Sequence, residues 1–409
     1  MSRQTSFLIL VVLFLIFQSA IAQNNAGKSW NQFRGNNRNG AVSNVELNKW
    51  PASVPEKVWK TSIGESFTEL LVSGDKVLTM TSTYSADSTS GTEYMIAFNN
   101  QTGEEIWKTK VDSLFIDVDN FGDGSRSTPA LDNEAAYCLS SFGKLHALSI
   151  KNGNILWTVD FIKEFGSTPP RWAFASSPIL INNKVIIETG GTENRGFSAF
   201  DKNTGKTIWS TGFAKPYYNS PAIAEIDGKT NIIFASDSML ISLDENGEEI
   251  WTFRIPFRYP MAMPLFIAPN KVFISAVSQT GCVLVEINNN VATEIYKNNS
   301  MKNNWSSSVY HDGYIYGFSN ATLKCVKADD GTSKWSKRAL GKGSLILVGD
   351  KLLVLSDKGV LKLVETNPEA YTELNSFQAL EGKSWTAPSY ANGRIYLRNL
   401  TEMASYKIN

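Results

Sequence analysis

The sequence predicts an all-β chain that folds as an eight-bladed β-propeller of four-stranded antiparallel blades. Two observations lead to this prediction. A turn motif that ends in an aromatic residue recurs every ~40–50 residues, a period typical of propeller blades. An apolar segment that contains proline precedes most copies of this motif. Tryptophan is also unusually frequent, with 11 copies in 409 residues.

The fullest copy of the turn motif reads Ala199-x-Asp201-x-x-x-Gly205-x-x-x-Trp209. The aspartate can cap the turn, and the glycine adopts a positive φ at little cost. Because a blade buries its faces only against neighbouring blades, a large flat side chain on the next strand suits the gap between them. Six tryptophans in this frame are therefore predicted to dock one blade onto the next: Trp59, Trp107, Trp157, Trp209, Trp251 and Trp335.

The blade count depends on two degenerate copies of the motif. These copies are expected to end at Tyr296 and Tyr371, which brings the number of outermost strands to eight. Seven blades is the alternative, if one degenerate copy is not a blade. The strand around Trp59 has no inner strands before it, and residues 384–408 supply three strands without a fourth. We therefore expect residues 57–62 and 384–408 to share one blade and close the ring.

The proline segments predict the position of the innermost strands. Proline is tolerated mainly at a sheet edge because it lacks an N–H group. In a propeller, the innermost strand has a free edge that faces the central channel. The proline strands are therefore expected to be innermost and the tryptophan strands outermost. The prolines concerned are Pro129, Pro178, Pro221, Pro264 and Pro388.

The first residues resemble a cleavable signal peptide. Arg3 precedes an apolar run over residues 7–17, and an A-x-A site ends at Ala22. We expect cleavage after Ala22 and a periplasmic or secreted mature protein; an uncleaved membrane anchor is the alternative. No cysteine near this site offers a lipid attachment point, and no later apolar stretch is long enough to span a membrane.

These patterns divide the chain into three segments. Residues 1–22 are expected to be the signal peptide, residues 23–56 a leader, and residues 57–409 a single propeller domain. The chain contains 39 basic and 39 acidic residues, and this balance gives no indication that the chain binds nucleic acid or an anionic membrane. We expect a monomer.

The cysteines and histidines give no metal motif. Cys138, Cys282 and Cys325 lie in strand-like runs and are interpreted as buried small residues, although one disulfide is the alternative in an oxidising compartment. No C-x-x-C occurs and only two histidines are present, so a Cys/His metal site is nearly excluded. Nucleophile-elbow, zinc-protease and phosphate-loop motifs are absent as well, and no catalytic residue is predicted.

A weaker candidate for cation binding lies in the sequence DVDNFGDG. Asp117, Asp119 and Asp123 offer oxygen atoms of the kind that bind Ca²⁺. The segment lacks the full spacing of a calcium loop and its closing glutamate. An acidic surface loop is therefore the preferred interpretation.

The residues just before each innermost strand are expected to surround one mouth of the central channel. They are rich in arginine and aromatic residues, which are favoured at surfaces that bind partners or ligands. The alternative is that these side chains merely fill the channel and stack on each other. The predicted binding residues are Arg126, Arg171, Trp172, Tyr217, Tyr218, Arg258, Tyr259, Trp305 and Trp385.

The motif that ends at Trp209 resembles the tryptophan-docking motif of the PQQ-like (pyrrolo-quinoline quinone) β-propeller repeat proteins. This family includes BamB and the propellers of quinoprotein alcohol dehydrogenases. The leader WNQFRGNNRNG, which includes Trp30, Phe33 and Arg34, is similar to a segment that precedes many such propellers. The resemblance covers nearly all of the expected mature chain. It implies the fold more strongly than the function, because one fold hosts many functions.

The chain also departs from the members of this family. BamB-type proteins carry a lipidated cysteine, and quinoprotein dehydrogenases carry adjacent cysteines; neither feature is present, nor is a haem-attaching C-x-x-C-H. An exported, non-catalytic binding or scaffold module is therefore the first hypothesis, with no cofactor and with an envelope protein, secreted protein, small ligand or glycan as partner. A PQQ-dependent oxidoreductase with PQQ and Ca²⁺, clamped by Arg126, Arg171 and Arg258, is one alternative. A glycan-binding or carbohydrate-active module is another.

Overall fold

The computed structural model describes residues 27–50, 54–236, 238–258 and 260–409. The predicted signal peptide and Tyr259 lie outside these residues. The described residues form eight blades, each with four antiparallel strands, around a central channel. The prediction of an eight-bladed, all-β propeller is therefore confirmed.

Two short strands of the N-terminal region precede the first complete blade; they are β1 (Ala41–Val42) and β2 (Glu56–Ser62). Blade 1 consists of β3 (Leu71–Ser73), β4 (Lys76–Tyr84), β5 (Gly91–Asn99) and β6 (Glu105–Ser113). Blade 2 consists of β7 (Ala130–Leu131), β8 (Ala135–Leu139), β9 (Lys144–Ser149) and β10 (Ile155–Asp160). Blade 3 consists of β11 (Ile179–Ile181), β12 (Lys184–Gly191), β13 (Arg195–Asp201) and β14 (Thr207–Thr211). Blade 4 consists of β15 (Ala222–Ile226), β16 (Lys229–Ser236), β17 (Met239–Leu243) and β18 (Glu249–Arg254).

The second half of the ring repeats this arrangement. Blade 5 consists of β19 (Leu265–Ile267), β20 (Lys271–Ser275), β21 (Cys282–Asn288) and β22 (Val291–Asn298). Blade 6 consists of β23 (Val309–His311), β24 (Tyr314–Ser319), β25 (Thr322–Lys327) and β26 (Ser333–Lys337). Blade 7 consists of β27 (Ser344–Val348), β28 (Lys351–Leu355), β29 (Val360–Glu365) and β30 (Glu373–Gln378). Blade 8 consists of β31 (Ser389–Ala391), β32 (Arg394–Arg398), β33 (Glu402–Lys407) and β2.

Blade 8 closes the ring with strands from both terminal regions. β2 pairs antiparallel with β33, from Glu56 opposite Lys407 to Ser62 opposite Glu402. This pairing confirms that residues 57–62 and 384–408 share one blade. It also covers two sheet edges that would otherwise expose unpaired N–H and C=O groups.

The proline segments lead into innermost strands, as predicted. Each of the five prolines directly precedes the first strand of its blade; these strands are β7, β11, β15, β19 and β31. The channel is therefore bounded by short strands whose first residues follow a proline.

The outermost strands share a bulge that fixes the position of the docking aromatic. In blade 1, for example, Trp107 lies opposite Ala97 directly after a register shift. The same position in blade 7 is Asn375, which lies opposite Leu363. The prediction that the motif of this blade closes on Tyr371 is wrong. Tyr371 precedes β30 and packs edge-on against the indole of Trp335 in blade 6, with ring centroids 5.7 Å apart.

Five of the six predicted docking tryptophans donate their indole N–H to a backbone carbonyl in the next blade. Each acceptor lies in the turn between the third and fourth strands of that blade. The donor–acceptor pairs are Trp59–Asn100 (2.9 Å), Trp107–Ile150 (3.0 Å), Trp157–Lys202 (2.9 Å), Trp209–Glu245 (3.0 Å) and Trp335–Asn367 (2.8 Å).

Trp251 differs, because its indole N–H donates to the Asn231 side chain in its own blade, at 2.8 Å. The turn in the following blade is a tight hairpin over Asn289 and Asn290, which have φ values of 51° and 62°. That hairpin replaces the longer glycine turn that receives the indole elsewhere. One motif position thus supports two modes of docking.

The described residues contain one helix, α1 (Phe161–Phe165), and no helix long and apolar enough to cross a membrane. All three cysteines are buried and carry free thiols. This finding supports the interpretation that they are small core residues.

Candidate functional site

The leader enters the channel and bonds to innermost strands around the ring. The backbone of Trp30 pairs with that of Val72 in blade 1, and β1 pairs parallel with β27 in blade 7. The carbonyl oxygen of Asn31 accepts a 2.7 Å hydrogen bond from the N–H of Leu131 in blade 2. The leader therefore lies inside the ring rather than beside it.

Two buried arginines of the leader extend these contacts to further blades. The guanidinium of Arg34 donates to the carbonyl oxygens of Leu345 (2.8 Å) and Ser308 (3.0 Å). The guanidinium of Arg38 donates to three carbonyl oxygens on blades 3 and 4. The acceptors are Pro221 (2.8 Å), Pro178 (3.0 Å) and Ser177 (3.2 Å). The two side chains are only 2% and 3% exposed, so they fill the channel.

Glu69, the residue before Leu70 and β3, holds the leader in place. Its Oε2 accepts hydrogen bonds from the indole N–H of Trp30 and the backbone N–H of Arg34, both at 2.9 Å. Burial raises the pKa of Glu69 to about 7, against the lowering effect of the Trp30 bond and the Arg34 charge. Its Oε1 is buried and has no hydrogen-bond partner among the described residues.

A cavity of about 350 Å³ lies above the leader, at the mouth that the segments before the innermost strands surround. Phe33 and Arg34 of the leader form part of its lining, together with Glu69. Aromatic residues form much of the wall; they are Phe67, Phe121, Trp172, Tyr218, Trp305 and Trp385. Arg126, Lys342, Asn304 and several serine and threonine residues complete the lining. This volume lies at the lower end of the range typical of small-molecule sites.

Five of the nine predicted mouth residues line this cavity; they are Arg126, Trp172, Tyr218, Trp305 and Trp385. Arg171, Tyr217 and Arg258 are not part of the lining. The guanidinium of Arg171 instead forms two hydrogen bonds with the carboxylate of Asp119, at 2.7 and 2.8 Å. Arg258 is exposed, and Tyr217 is half-buried with its backbone N–H bonded to Glu188 at 3.2 Å.

The aromatic side chains of the mouth contact one another and still leave space between them. The rings of Trp305 and Trp385 have centroids 4.2 Å apart, and Phe67 stacks on Trp385 at 6.1 Å. On another part of the rim, Trp172 contacts Tyr218 at 5.2 Å and Phe121 at 6.1 Å. The side chains therefore both stack on each other and enclose a cavity.

Besides Arg34 of the leader, two cations line the cavity, and they differ in whether they are already paired. The Arg126 guanidinium is held by the Asp117 carboxylate (3.2 Å) and by the carbonyl oxygens of Gly122 and Gly124 (2.9 and 2.8 Å). The ammonium of Lys342 lies 5.0 Å from the ring centroid of Trp305 and forms no ion pair with any described residue. Lys342 is therefore the cation best placed to meet a ligand.

The three aspartates of the DVDNFGDG loop bond to protein donors. The carboxylate of Asp117 accepts from the backbone N–H groups of Asp119 and Phe121, both at 3.0 Å. Asp119 accepts from the indole N–H of Trp172 at 2.7 Å, in addition to Arg171. Asp123 accepts from the hydroxyl of Tyr84, also at 2.7 Å. Within the described ranges, no group of three or more Asp, Glu, His or Cys side chains is placed to hold a metal ion.

Sequence reasoning missed Phe67, Glu69, Phe121, Lys342 and the leader side chains. Phe67 and Glu69 precede β3 just as the predicted mouth residues precede other innermost strands. Blade 1 lacks the proline that marked most of those strands, so its copy SFTELL was not recognised. An alignment of blade 1 onto the proline segments would have placed both residues at the mouth.

Comparisons of this chain with known proteins agree on one family. A family model described as outer membrane protein assembly factor BamB matches residues 91–337, more than half of the chain. A quinoprotein ethanol dehydrogenase of Pseudomonas aeruginosa is 28% identical over 152 residues, which cover 32% of this chain and 24% of that protein. The chain thus matches about a quarter of the length of this relative.

Solved structures share the fold at low sequence identity. BamB from Moraxella catarrhalis superimposes with a TM-score of 0.61 at 15% identity, covering 86% of this chain and 98% of that one. The quinohemoprotein alcohol dehydrogenase from Comamonas testosteroni gives a TM-score of 0.69 at 12% identity, covering 95% and 82%. Together, the blade geometry and the family match show that this chain belongs to the family of BamB-like, PQQ-like β-propellers.

Proposed function

We propose that this protein is an exported, non-catalytic binding propeller whose ligand enters the cavity at the mouth of the central channel. The observation that carries the proposal is the cavity itself, with aromatic walls above a floor formed by the buried leader. Concave, largely apolar pockets with a few polar groups are typical ligand sites. The pattern of the first 22 residues supports export to the periplasm or beyond.

The alternative, a PQQ-dependent oxidoreductase, draws support from the quinoprotein dehydrogenases among the similar proteins. The residues around the cavity do not supply the metal ligands that this cofactor needs. PQQ carries three carboxylates, and the metal that assists it needs a set of oxygen ligands. Of the described residues that line the cavity, Glu69 alone is acidic, and its Oε2 is already bonded to Trp30 and Arg34. Among the described residues, no further acidic group joins it to bind a metal.

A capture experiment tests the proposal. The mature protein is immobilised and exposed to envelope extract, and the bound material is compared with that captured by a Trp172→Ala, Trp305→Ala double variant. The control is Phe213→Ala, because Phe213 is 81% exposed and does not line the cavity. We expect the double variant to lose the captured ligand and the control to retain it. Capture that the double variant leaves unchanged would remove the cavity as the binding site.

A second measurement tests whether the protein is an enzyme. The mature protein is titrated with PQQ and Ca²⁺, and the oxidation of alcohols is followed with a redox dye. We expect no saturable change in absorbance and no dye reduction. Saturable PQQ binding with alcohol-dependent dye reduction would overturn the non-catalytic proposal.

A further inference from the structure

We propose that the ligand of the central cavity is an acidic pyranose, a hydroxyl-rich sugar ring that carries one carboxylate, at the end of a glycan chain. This inference rests on the proposed function, since it names the ligand class of the same cavity. Three separate features of the lining support it: aromatic faces, polar atoms without partners, and an excess of positive charge.

The aromatic walls fit the faces of a pyranose ring. Trp172, Trp305 and Trp385 line the cavity and are only partly buried. One face of a pyranose presents C–H groups, which pack against an indole over a large area, while its hydroxyls point outward to polar groups. Three tryptophans around one small cavity therefore favour a ligand with flat, weakly polar faces.

The unpartnered polar atoms favour a ligand that both donates and accepts hydrogen bonds. Oε1 of Glu69 and Oγ of Ser306 are buried and have no hydrogen-bond partner among the described residues, and both residues line the cavity. Buried polar atoms are normally paired in native proteins. The Glu69 carboxyl only accepts when it is ionised and can donate when it is protonated, and both forms are present near its pKa of about 7. Sugar hydroxyls both donate and accept, so they suit the Glu69 carboxyl in either protonation state as well as the Ser306 hydroxyl.

The charge of the lining favours an anion. In the described part of the lining, Arg34, Arg126 and Lys342 contribute three positive charges, and Glu69 is the single acidic residue. Arg34 is occupied by two backbone carbonyls and Arg126 by Asp117, which leaves the Lys342 ammonium beside the face of Trp305. A carboxylate on a ring that stacks near Trp305 would lie within reach of this ammonium.

The leader determines which part of a glycan can enter. Arg34 and Arg38 are buried and bonded to innermost strands, so the channel is filled below the cavity. A chain cannot thread through the propeller, and only a terminal sugar unit can reach Glu69. The proposed ligand is therefore a chain end or a free monosaccharide.

The test is a titration of the mature protein with D-glucuronate, D-galacturonate, D-glucose, D-galactose, acetate and PQQ, followed by calorimetry and by saturation-transfer NMR. We expect saturable binding of at least one uronate, with the matching neutral sugar weaker by about tenfold, the loss expected for one charge-assisted contact. Acetate and PQQ should not compete.

Three variants make the test specific. Trp385→Ala should abolish binding, Glu69→Gln should weaken both the uronate and the neutral sugar, and Lys342→Met should remove only the preference for the uronate. The matched controls are Phe213→Ala and Lys358→Met, which alter exposed residues outside the cavity. They should bind like the unmodified protein.

Three results would overturn the inference. These are the absence of saturable uronate binding by the folded, unmodified protein, equal binding of acetate, and uronate binding that Trp385→Ala and Lys342→Met leave unchanged. If a uronate fails while PQQ or an envelope molecule binds in a manner that depends on Trp172 and Trp305, the sugar is wrong and the cavity remains the site. If no cavity variant affects any binding, the proposed function fails as well.

Discussion

Gly153 in blade 2 lies directly against the indole of Trp107 in blade 1. A Cβ atom placed on Gly153 would come within 2.5 Å of Cε3 of that ring, and the φ of Gly153 is +74°. Four other turn glycines meet the docking aromatic of the preceding blade in the same way, with a Cβ distance of 2.9 Å or less. These pairs are Gly103–Trp59, Gly205–Trp157, Gly247–Trp209 and Gly331–Tyr296. The glycine of the motif therefore has two roles: it adopts the positive φ that the turn needs, and it leaves room for the aromatic ring of the preceding blade.

We expect Gly153→Ala to destabilise the protein more than a change in backbone strain alone can explain. The control is Gly228→Ala, because Gly228 has a similar φ of +70° and no atom within 4 Å of a Cβ. The control should cost ~1–2 kcal/mol from left-handed strain. Gly153→Ala should cost at least ~2 kcal/mol more, as overpacking does in a close-packed interface. Urea unfolding measures both values; equal losses would show that the contact with Trp107 is not tight.

The ring could be predicted from the sequence because its determinants are local and repeated. The turn glycine, the following tryptophan and the proline before each innermost strand are residue types that a backbone conformation requires directly. Tyr371 shows the limit of this reasoning. Its spacing imitates the motif, but the hairpin after β29 lacks the glycine, so the register places Asn375 at the docking position.

The central site was harder to predict because its key contacts leave no pattern in the sequence. Arg34 and Arg38 bond to backbone carbonyls, which any sequence supplies. The predicted mouth residue Arg171 is drawn away by Asp119, and that partner lies in a loop from another blade junction. Only the three-dimensional arrangement shows which cations face the cavity and which are already paired.

The closure of blade 8 predicts the effect of a C-terminal truncation. Deletion of residues 385–409 removes β31, β32 and β33 and leaves β2 without a partner. The unpaired edge of β2 and the apolar faces of blades 1 and 7, which blade 8 covers, should drive association between chains. Size-exclusion chromatography should show aggregates in place of the peak of the intact protein. A soluble truncated protein with unchanged stability would contradict the role of blade 8 in closing the ring.

The contacts that Arg38 of the leader makes lead us to expect that Arg38→Met strongly destabilises the folded protein. The methionine keeps much of the apolar volume and leaves the carbonyl oxygens of Ser177, Pro178 and Pro221 without the buried donor they share. Buried unsatisfied acceptors cost ~1–3 kcal/mol each, so a loss of several kcal/mol is expected. The control is Arg338→Met, because Arg338 is exposed. Thermal unfolding should separate the two variants clearly, and equal melting temperatures would show that the leader contributes little to the stability of the ring.

The burial of Glu188, on β12, leads us to expect a specific dependence of stability on pH. Its side chain is 2% exposed, and Oε2 accepts from the backbone N–H of Tyr217. Burial raises the pKa of this carboxyl from an ordinary value of 4.5 to about 8. Between about pH 4.5 and pH 8, Glu188 is therefore protonated in the folded protein and ionised in the unfolded chain. The stability from this proton is fully present below pH ~4.5 and is lost as the pH rises through ~8.

We therefore expect Glu188→Gln to gain stability relative to the unmodified protein as the pH rises from 5 to 9. Glutamine is neutral at every pH and has nearly the same shape, so the variant avoids the cost of a buried charge, on the order of a few kcal/mol. The pH dependence of the unmodified protein also contains a contribution from His146. Burial lowers the pKa of His146 to about 4, so this residue reduces stability as the pH falls below ~6.5. Comparing the variant with the unmodified protein at each pH cancels this contribution. Urea unfolding at pH 5, 7 and 9, with the exposed Glu193→Gln as control, measures the difference. A free-energy difference between Glu188→Gln and the unmodified protein that stays constant with pH would show that Glu188 is already ionised in the folded state.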